Sequence, residues 1–414
     1  MEAVYSRCAG IDVSKRDVKV CVRVQGSGSR RTSAQVKTWG SSFPQLKKLR
    51  AELVKAGVQR VVMESTSDYW RPFFYVLAEE LDVVLARSSQ VKGMPGRKSD
   101  VSDAEWLADL AAHGLVRASF VPPEKQRELR DLTRARVQVL AERTREVQRL
   151  EKTLEDACIK LSAVATDLQG QSARLMLKAL VEGVEDPAAI ADLAKGRMRA
   201  KIDRLTEALT GRVHDHHRFM IEFRLRCIDA ATEHLAELDR RIDQLVVTEG
   251  FEGARDLLSS IPGLGRRGAE EVLAEIGTDM SVFGDSAHLA SWCGVVPGSH
   301  ESAGKRKKAP TRHGNCYVKR SLGIAAKAAA RKKHGFLSVR FRRITARQGY
   351  SKAIVATEHA MINAIYQMLT TGEFYRDLGD DYHRRRAPER VMRHKIADLE
   401  AAGYTVTKAV TKAA

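Results

Sequence analysis

The amino-acid sequence predicts an α/β domain at the N-terminus, a long helical middle and a mainly helical C-terminal domain. Apolar and polar residues alternate through residues 5–24, as they do in half-buried strands. Leucine or valine recurs every seven residues from 140 to 161, which is typical of long paired helices. At 414 residues and 43% hydrophobic composition, the chain exceeds the roughly 250–300 residues of a single core.

The first domain, predicted over residues 1–122, begins with two strands joined by a turn at Ser14–Asp17. Ala9, Ile11 and Val13 lie on one face of the first strand, and valines at every second position from 18 to 24 mark the second. The next elements are a strand, a helix, a strand, a helix and a strand over residues 34–39, 43–56, 60–64, 70–80 and 81–86. This order resembles the RNase H-like fold, which includes RuvC-like domains, although element order alone does not distinguish it from other α/β folds.

The middle region, predicted over residues 123–250, contains two long amphipathic helices at 124–164 and 214–247. Their apolar stripes predict an antiparallel coiled coil or a dimerising arm. Two ordinary amphipathic helices in a bundle would give the same periodicity, so both interpretations stay open.

The third domain is predicted over residues 251–366 and a basic variable tail over 367–414. Residues 257–276 resemble a helix-hairpin-helix, in which Gly263 and Gly265 would let the backbone approach a nucleic acid phosphate. A plain packing hairpin between two helices is the alternative.

The positive charge of the chain is concentrated near its end. The net charge is +18, but residues 301–414 hold 25 basic and 9 acidic side chains, and residues 301–350 hold 15 basic residues with one acid, Glu301. A segment with so large an excess of positive charge indicates a polyanionic partner, most simply nucleic acid. Apolar residues interleaved with it, such as Leu322 and Phe336, indicate that the segment folds.

Other patterns exclude several classes of protein. No apolar run approaches the roughly 18 residues of a membrane span, and residues 1–10 lack the apolar stretch of a secretory signal, so we expect a cytoplasmic protein and no membrane partner. Six cysteines without a C-x-x-C pair indicate neither a disulfide framework nor a zinc site.

Four acids of the first domain are candidate metal ligands. Asp12 lies in the first strand and Glu64 ends a buried strand, while Asp100 and Asp103 are three apart at the start of a helix. An acid that ends an apolar strand is costly to bury unless a cation compensates it. Each acid alone could be a helix cap or an ion-pair partner, but together they favour a site for divalent metal.

The motifs that contain these acids resemble a known family. Residues 9–15, 63–66 and 96–104 are similar to the three acidic motifs of the DEDD transposases of the insertion-sequence family one-ten, related to the Piv and MooV invertases. The third motif has Ser99 where the family usually has threonine. Residues 283–320 resemble the serine-bearing transposase domain of the same family, and the resemblance covers roughly residues 5–365.

The resemblance implies a role for one serine in a basic loop. Ser302 corresponds to the family's nucleophile, with Ser299 the less favoured neighbour, and basic side chains surround it in sequence. We expect the nucleic-acid-binding residues of this domain to be Gly263, Gly265, Lys305, Arg306, Lys307, Lys308, Arg312, Lys319 and Arg320. Without the resemblance, Ser302 would be one loop serine among several.

The same resemblance implies the activity and the partners. It implies a recombinase that exchanges strands of donor and target DNA through a phosphoserine link, with Mg²⁺ or Mn²⁺ at the four acids. It further implies a structured noncoding guide RNA and a homo-oligomer, a dimer or tetramer, in which the two halves of the site act together. A Piv-like invertase, a RuvC-like nuclease that does not use the serine, and a non-enzymatic regulator are the alternatives.

Overall fold

The computed structural model describes residues 3–27, 31–64, 67–87, 91, 100–298, 301–302, 304–306 and 309–407. The chain forms two compact units, Met1–Val121 and Pro122–Ala414. Each unit has its own core and is described separately below.

A mixed five-stranded sheet forms the centre of the first unit. Its strands β1 to β5 are Arg7–Val13, Asp17–Val24, Ser33–Gly40, Arg60–Glu64 and Val83–Ala86. They lie in the order β3-β2-β1-β4-β5, and β2 runs antiparallel to its two neighbours while β4 and β5 run parallel to β1. This topology is that of the RNase H-like fold, so the predicted fold class is confirmed.

Helices cover both faces of this sheet. Helix α1 (Phe43–Lys55) and helix α2 (Trp70–Leu77) pack on one face, where Leu49 and Phe73 join the largest core cluster of the unit. Helix α3 (Asp100–Ala112) covers the other face. Because strand residues alternate between the two faces, each strand sends every second side chain toward α3.

Gly10 allows α3 to pack directly on the backbone of β1. A Cβ atom at Gly10 would overlap the carbonyl oxygen of Ala104 and the amide nitrogen of Ala108. At the other end of the helix, the carbonyl oxygen of Ala112 accepts hydrogen bonds from the N–H groups of Val4 and Tyr5, at 2.8 and 3.1 Å. Helix α3 therefore runs antiparallel to β1, and its N-terminus lies at the carboxyl end of that strand.

Replacing Gly10 with alanine is expected to lower the free energy of unfolding by roughly 2–3 kcal/mol, because backbone atoms on both sides cannot yield as a side chain would. Gly253→Ala is the matched control, since a Cβ there meets no atom within 4 Å. Denaturant titration of both variants checks the difference. Equal stabilities would show that α3 does not depend on the close approach at Gly10.

The second unit begins with a helix that is shorter than predicted. Helix α4 (Glu124–Asp156) was expected to continue to Val164, and that expectation is wrong. Cys158 adopts a left-handed conformation, with φ of 61°, and the chain turns there. Leu161, the last apolar residue of the seven-residue spacing, therefore lies in the next helix, α5 (Leu161–Val164), where it is also buried.

Short helices after α4 form a cap on its far end. They are α5, α6 (Gln171–Val181), α7 (Pro187–Ala191), a 3₁₀ turn (Gly196–Lys201) and α8 (Ile202–Leu209). Their buried residues share one apolar cluster with Leu150 and Leu154 of α4. The cap thus closes the turn between the two long helices.

The second long helix, α9 (Asp215–Thr248), returns along α4. Ile228 lies in the cluster of the cap, whereas Ile242 and Leu245 pack with Leu129 near the start of α4. The two helices are therefore an antiparallel pair within one chain. His214 is the N-cap of α9 and bonds to His217, as expected for a polar helix start.

The described part of the second unit contains eight further α-helices. They are α10 (Glu252–Ser259), α11 (Arg266–Ile276), α12 (Ser286–Trp292), α13 (Cys316–Ala330), α14 (Phe336–Gln348), α15 (Tyr350–Thr371), α16 (Tyr382–Arg386) and α17 (Pro388–Ala401). A short hairpin of β6 (Glu301–Ser302) and β7 (Lys305–Arg306) lies between α12 and α13 in the chain. Across the described ranges, no helix is long and apolar enough to cross a membrane.

Candidate active site

Asp12 and Glu64 lie side by side at the carboxyl edge of the sheet. The last backbone pair between β1 and β4 joins Ile11 to Met63, and the two acids are the next residue of each strand. Both occupy the face that α3 covers, because Gly10 and Val62, two residues earlier, contact that helix. Both side chains are half-buried. The structure thus brings together the two predicted strand acids.

Helix α3 directs its N-terminus to the same edge. Asp100 is its first residue, and Asp103 stands one turn before Leu107, on the face of the helix that packs on the sheet. Asp103 is exposed, and the side chain of Asp100 lies outside the described part of the chain. The positive end of the helix dipole favours negative charge at this edge.

The donor groups suit a hard divalent cation. All four predicted ligands are carboxylates. Mg²⁺ and Mn²⁺ prefer such oxygen ligands, whereas softer metals prefer sulfur or nitrogen ligands. Among the side chains that the structure describes, no three His, Cys, Asp or Glu residues form a group that could hold a metal ion. The residue types suit a divalent metal, but Asp12, Glu64 and Asp103 do not by themselves form such a group. The fourth predicted ligand, Asp100, has a side chain outside the described part of the chain.

Lys19 is a neighbour of this edge that sequence reasoning missed. In the β1–β2 pair Lys19 stands directly opposite Asp12, and in the β2–β3 pair it stands opposite Thr38. Its ammonium group donates to Thr38 Oγ1 at 2.9 Å and lies 3.6 Å from Asp17 Oδ2. Residues opposite each other in antiparallel strands share a face, so Lys19 lies on the same face as Asp12, with its ammonium group directed to Thr38 and Asp17. The turn at Ser14–Asp17 was the signal that would have predicted this pairing.

Ser302 lies in a tight hairpin of the second unit. Its backbone pairs with Lys305, and Glu301 pairs with Arg306, so two residues connect the strands. Gly304 supplies the left-handed conformation of that turn, with φ of 72°. Ser299, Lys307 and Lys308 lie outside the described residues, and Ser302, Lys305 and Arg306 are described by their backbone alone.

The two sides of the loop that carries this hairpin are bonded to each other. The N–H of Gly298 donates to the carbonyl of Pro310 at 2.8 Å, and the N–H of Arg312 donates to Val296 at 3.3 Å. Gly294 and Gly314 then approach so closely that a Cβ at Gly314 would overlap the backbone nitrogen of Gly294. The hairpin therefore projects from a closed base.

The remaining predicted nucleic-acid contacts differ in their surroundings. A Cβ at Gly263 would overlap the carbonyl oxygen of Ala325 in α13, so close packing already requires glycine there. Gly265 is the N-cap of α11 and has open space around it. Arg312 is exposed, and Lys319 Nζ donates to Thr311 Oγ1 at 3.0 Å.

Arg320 is held within the fold by an acid. Its Nη1 atom lies 3.4 Å from Glu271 Oε2 on α11, and its side chain is only about one-third exposed, at 37%. That acid also accepts a hydrogen bond from the hydroxyl of Ser321. Contact of Arg320 with a phosphate stays a prediction and would compete with Glu271.

Comparison with known protein families matches two segments of the chain to transposases. The family model of IS110-type DEDD transposases, described as "Transposase", matches residues 9–159, and the one described as "Transposase IS116/IS110/IS902 family" matches residues 255–339. Together the two matches contain Asp12, Glu64, Asp100, Asp103 and Ser302. The chain belongs to the IS110 family of insertion-sequence transposases.

Individual relatives resemble the chain over shorter stretches. The pilin gene-inverting proteins of Moraxella bovis and Moraxella lacunata are each 36% identical over 72 residues, which is 17% of this chain and 22% of each relative. The chain thus matches about a fifth of the length of these relatives. The RuvC structure of Thermus thermophilus is similar over 27% of this chain and 99% of its own, with 13% identity and a TM-score of 0.22.

Proposed function

We propose that this protein is an RNA-guided DNA recombinase that moves an insertion sequence by cutting and exchanging DNA strands. The observation that carries the proposal is the pairing of two transposase segments in one chain, one with the carboxylate edge and one with the Ser302 hairpin. A nuclease that uses the carboxylates alone has no need for the second segment.

Ser302 is the proposed nucleophile. Its Oγ atom attacks a DNA phosphorus and forms a serine–phosphate ester, while the bond from phosphorus to one deoxyribose oxygen breaks. The serine proton leaves to a base or water, and the released deoxyribose oxygen takes up a proton. Attack of a second strand's hydroxyl on the same phosphorus reverses the step and joins the new strand. Because energy stored in the ester is conserved, exchange needs no external energy source.

The carboxylate edge is the proposed metal site. Asp12, Glu64, Asp100 and Asp103 would hold Mg²⁺ or Mn²⁺, which polarises the scissile phosphate when bound. Lys19, on the strand next to Asp12, would add a positive charge near this edge and attract the phosphate.

The charge of the second unit supports nucleic acid as the partner. Fifteen basic residues against one acid in residues 301–350 neutralise backbone phosphates of DNA or RNA without reading bases. In the proposed function a structured noncoding RNA selects donor and target sequences by base pairing. Exchange joins two DNA sites, so we propose a dimer or tetramer in which the carboxylate edge and the serine hairpin act together.

Inversion of a DNA segment between fixed sites is the second candidate function. The similarity to the two pilin gene-inverting proteins favours it, although that similarity spans only 72 residues. The chemistry at Ser302 and the carboxylates would be the same, and only the choice of DNA sites would differ.

Sequencing of the RNA that copurifies with the protein separates the two candidates. We expect one abundant structured RNA, encoded next to the gene, to be enriched at least ten-fold over RNA that copurifies with a charge-matched control protein. Ribonuclease treatment should then abolish strand exchange. Exchange that persists after complete RNA removal would refute RNA guidance and support an invertase that recognises its own sites.

A further inference from the structure

A buried carboxylate in the second unit joins three elements of the fold. Glu275, near the end of α11, is 1% exposed and accepts two hydrogen bonds from Arg134 of α4, at 2.7 and 2.9 Å. Arg130, one turn earlier in α4, lies 3.1 Å from Glu275 Oε2 and donates to its backbone carbonyl at 2.6 Å. The third partner is Asn315, whose Nδ2 donates to Glu275 Oε2 at 2.6 Å.

Asn315 ends the loop that carries the Ser302 hairpin. Its Oδ1 atom accepts hydrogen bonds from the N–H groups of Tyr317 and Val318, at 3.0 Å each, and so caps α13. Its own N–H donates to the carbonyl of Trp292, the last residue before the loop, at 3.1 Å. The backbone and side chain of one residue therefore join both ends of the loop to α13 and to Glu275.

Stability alone is a weak reason for this arrangement. Burying a carboxylate and two guanidinium groups carries a large desolvation cost, and apolar replacements of buried ion pairs are often neutral or stabilising. What apolar residues cannot provide is direction, because only hydrogen bonds fix the plane of an amide or a carboxylate. Here the bonds fix the amide plane of Asn315 relative to α4 and α13.

We propose that Glu275 is a positioning residue for Ser302: through Asn315 it holds the base of the serine loop against α4 and sets the approach of the nucleophile to DNA. This inference rests on the proposed function of Ser302. The ladder of bonds from Gly298 and Arg312 carries the fixed orientation from Asn315 toward the hairpin. Glu275 itself touches no reacting atom.

The chain offers a matched control on the same helix. Glu270 is also 1% exposed and also pairs with two arginines, Arg266 and Arg267. In the described part of the structure, its side chain makes no hydrogen bond or ion pair with the serine loop. Glu275→Gln and Glu270→Gln therefore remove the same charge from similar surroundings, and only the first variant weakens the anchoring of the loop.

The decisive variants exchange the donor and the acceptor. Asn315→Asp keeps the oxygen that caps α13, but it removes the donor and brings a like charge to Glu275. In Asn315→Asp/Glu275→Gln the glutamine amide can donate to the aspartate, so the hydrogen bond returns in the reverse direction. Adduct formation with DNA should fall at least ten-fold in the single Asn315 variant and recover at least three-fold in the double variant. DNA affinity should stay within two-fold throughout.

Amide hydrogen exchange of the free protein tests the inference independently of catalysis. Asn315→Asp and Glu275→Gln should lower the protection of the Gly298 and Arg312 amides by at least ten-fold, and Glu270→Gln should leave these two amides unchanged. Unchanged protection in both loop variants would overturn the positioning role. So would equal losses of adduct formation in the Glu275 and Glu270 variants. Absence of any adduct in the unmodified protein would instead refute the nucleophile, while the exchange data would still decide the anchoring.

Discussion

Ser302→Ala will abolish the covalent protein–DNA adduct and strand exchange, with a loss of at least about 10³-fold in rate. The reason is that alanine has no oxygen that can bond to phosphorus, and the substitution leaves the backbone of β6 unaltered. Binding of DNA and RNA should change less than two-fold, because phosphate contacts come from basic residues. Denaturing gels of protein incubated with labelled DNA, RNA and Mg²⁺ measure the adduct directly.

Two further serine variants sharpen this test. Ser351→Ala removes an exposed hydroxyl from the start of α15 and should retain full adduct formation. Ser299→Ala examines the neighbour within the loop and should also retain it. If the adduct disappears in the Ser299 variant and persists in the Ser302 variant, the nucleophile is Ser299 and not Ser302. Full strand exchange by Ser302→Ala would exclude a phosphoserine intermediate and leave a metal-dependent nuclease.

Asp12→Asn is expected to stop DNA cleavage, by at least about 10³-fold, while RNA binding remains nearly intact. An amide keeps the shape of the carboxylate but loses the negative charge that a divalent cation requires. DNA cleavage is measured in Mg²⁺ and in Mn²⁺, and RNA affinity is measured by filter binding. Together they distinguish a loss of catalysis from a loss of RNA binding.

Asp82→Asn is the control for this substitution. Asp82 directly precedes β5 and therefore lies at the amino end of a parallel strand, opposite the carboxyl edge that holds Asp12. Asp82 pairs with Arg60 at 2.7 Å and is half exposed, so the substitution should lower the free energy of unfolding by at most about 1 kcal/mol. The rate of DNA cleavage should not change. Retained cleavage by the Asp12 variant would refute the metal assignment at this edge.

The α/β fold was predictable because its strands carry clear local patterns. Period-two alternation in β1 and β2, and a continuous apolar run in β4, are set by which face of the sheet each residue meets. The end of α4 was not predictable in this way. Leu161 is buried just as a heptad position would be, and the left-handed turn at Cys158 uses a residue that rarely adopts that conformation.

The positions of the two strand acids of the candidate site were predictable, because each acid belongs to one strand with a clear local pattern. Asp12 follows the apolar start of β1 and Glu64 ends β4, and the parallel pairing of these strands brings both acids to a common edge. Lys19 was missed although the turn at Ser14–Asp17 predicts that it pairs with Asp12. Glu275 was missed because its partners, Arg134 and Asn315, come from distant segments of the chain. The role of Gly263 also depends on tertiary contact, since α13 rather than a phosphate lies against it.

The antiparallel pairing of α4 and α9 has a consequence for the reach of the second unit. The open end of this pair, where Leu129 meets Ile242, stays in place however far the helices extend toward the cap. Deleting seven residues from each helix would withdraw the cap by about 10 Å and keep the seam in register. The pair is thus an adjustable spacer, whose reach can diverge between related proteins without any change at the serine loop.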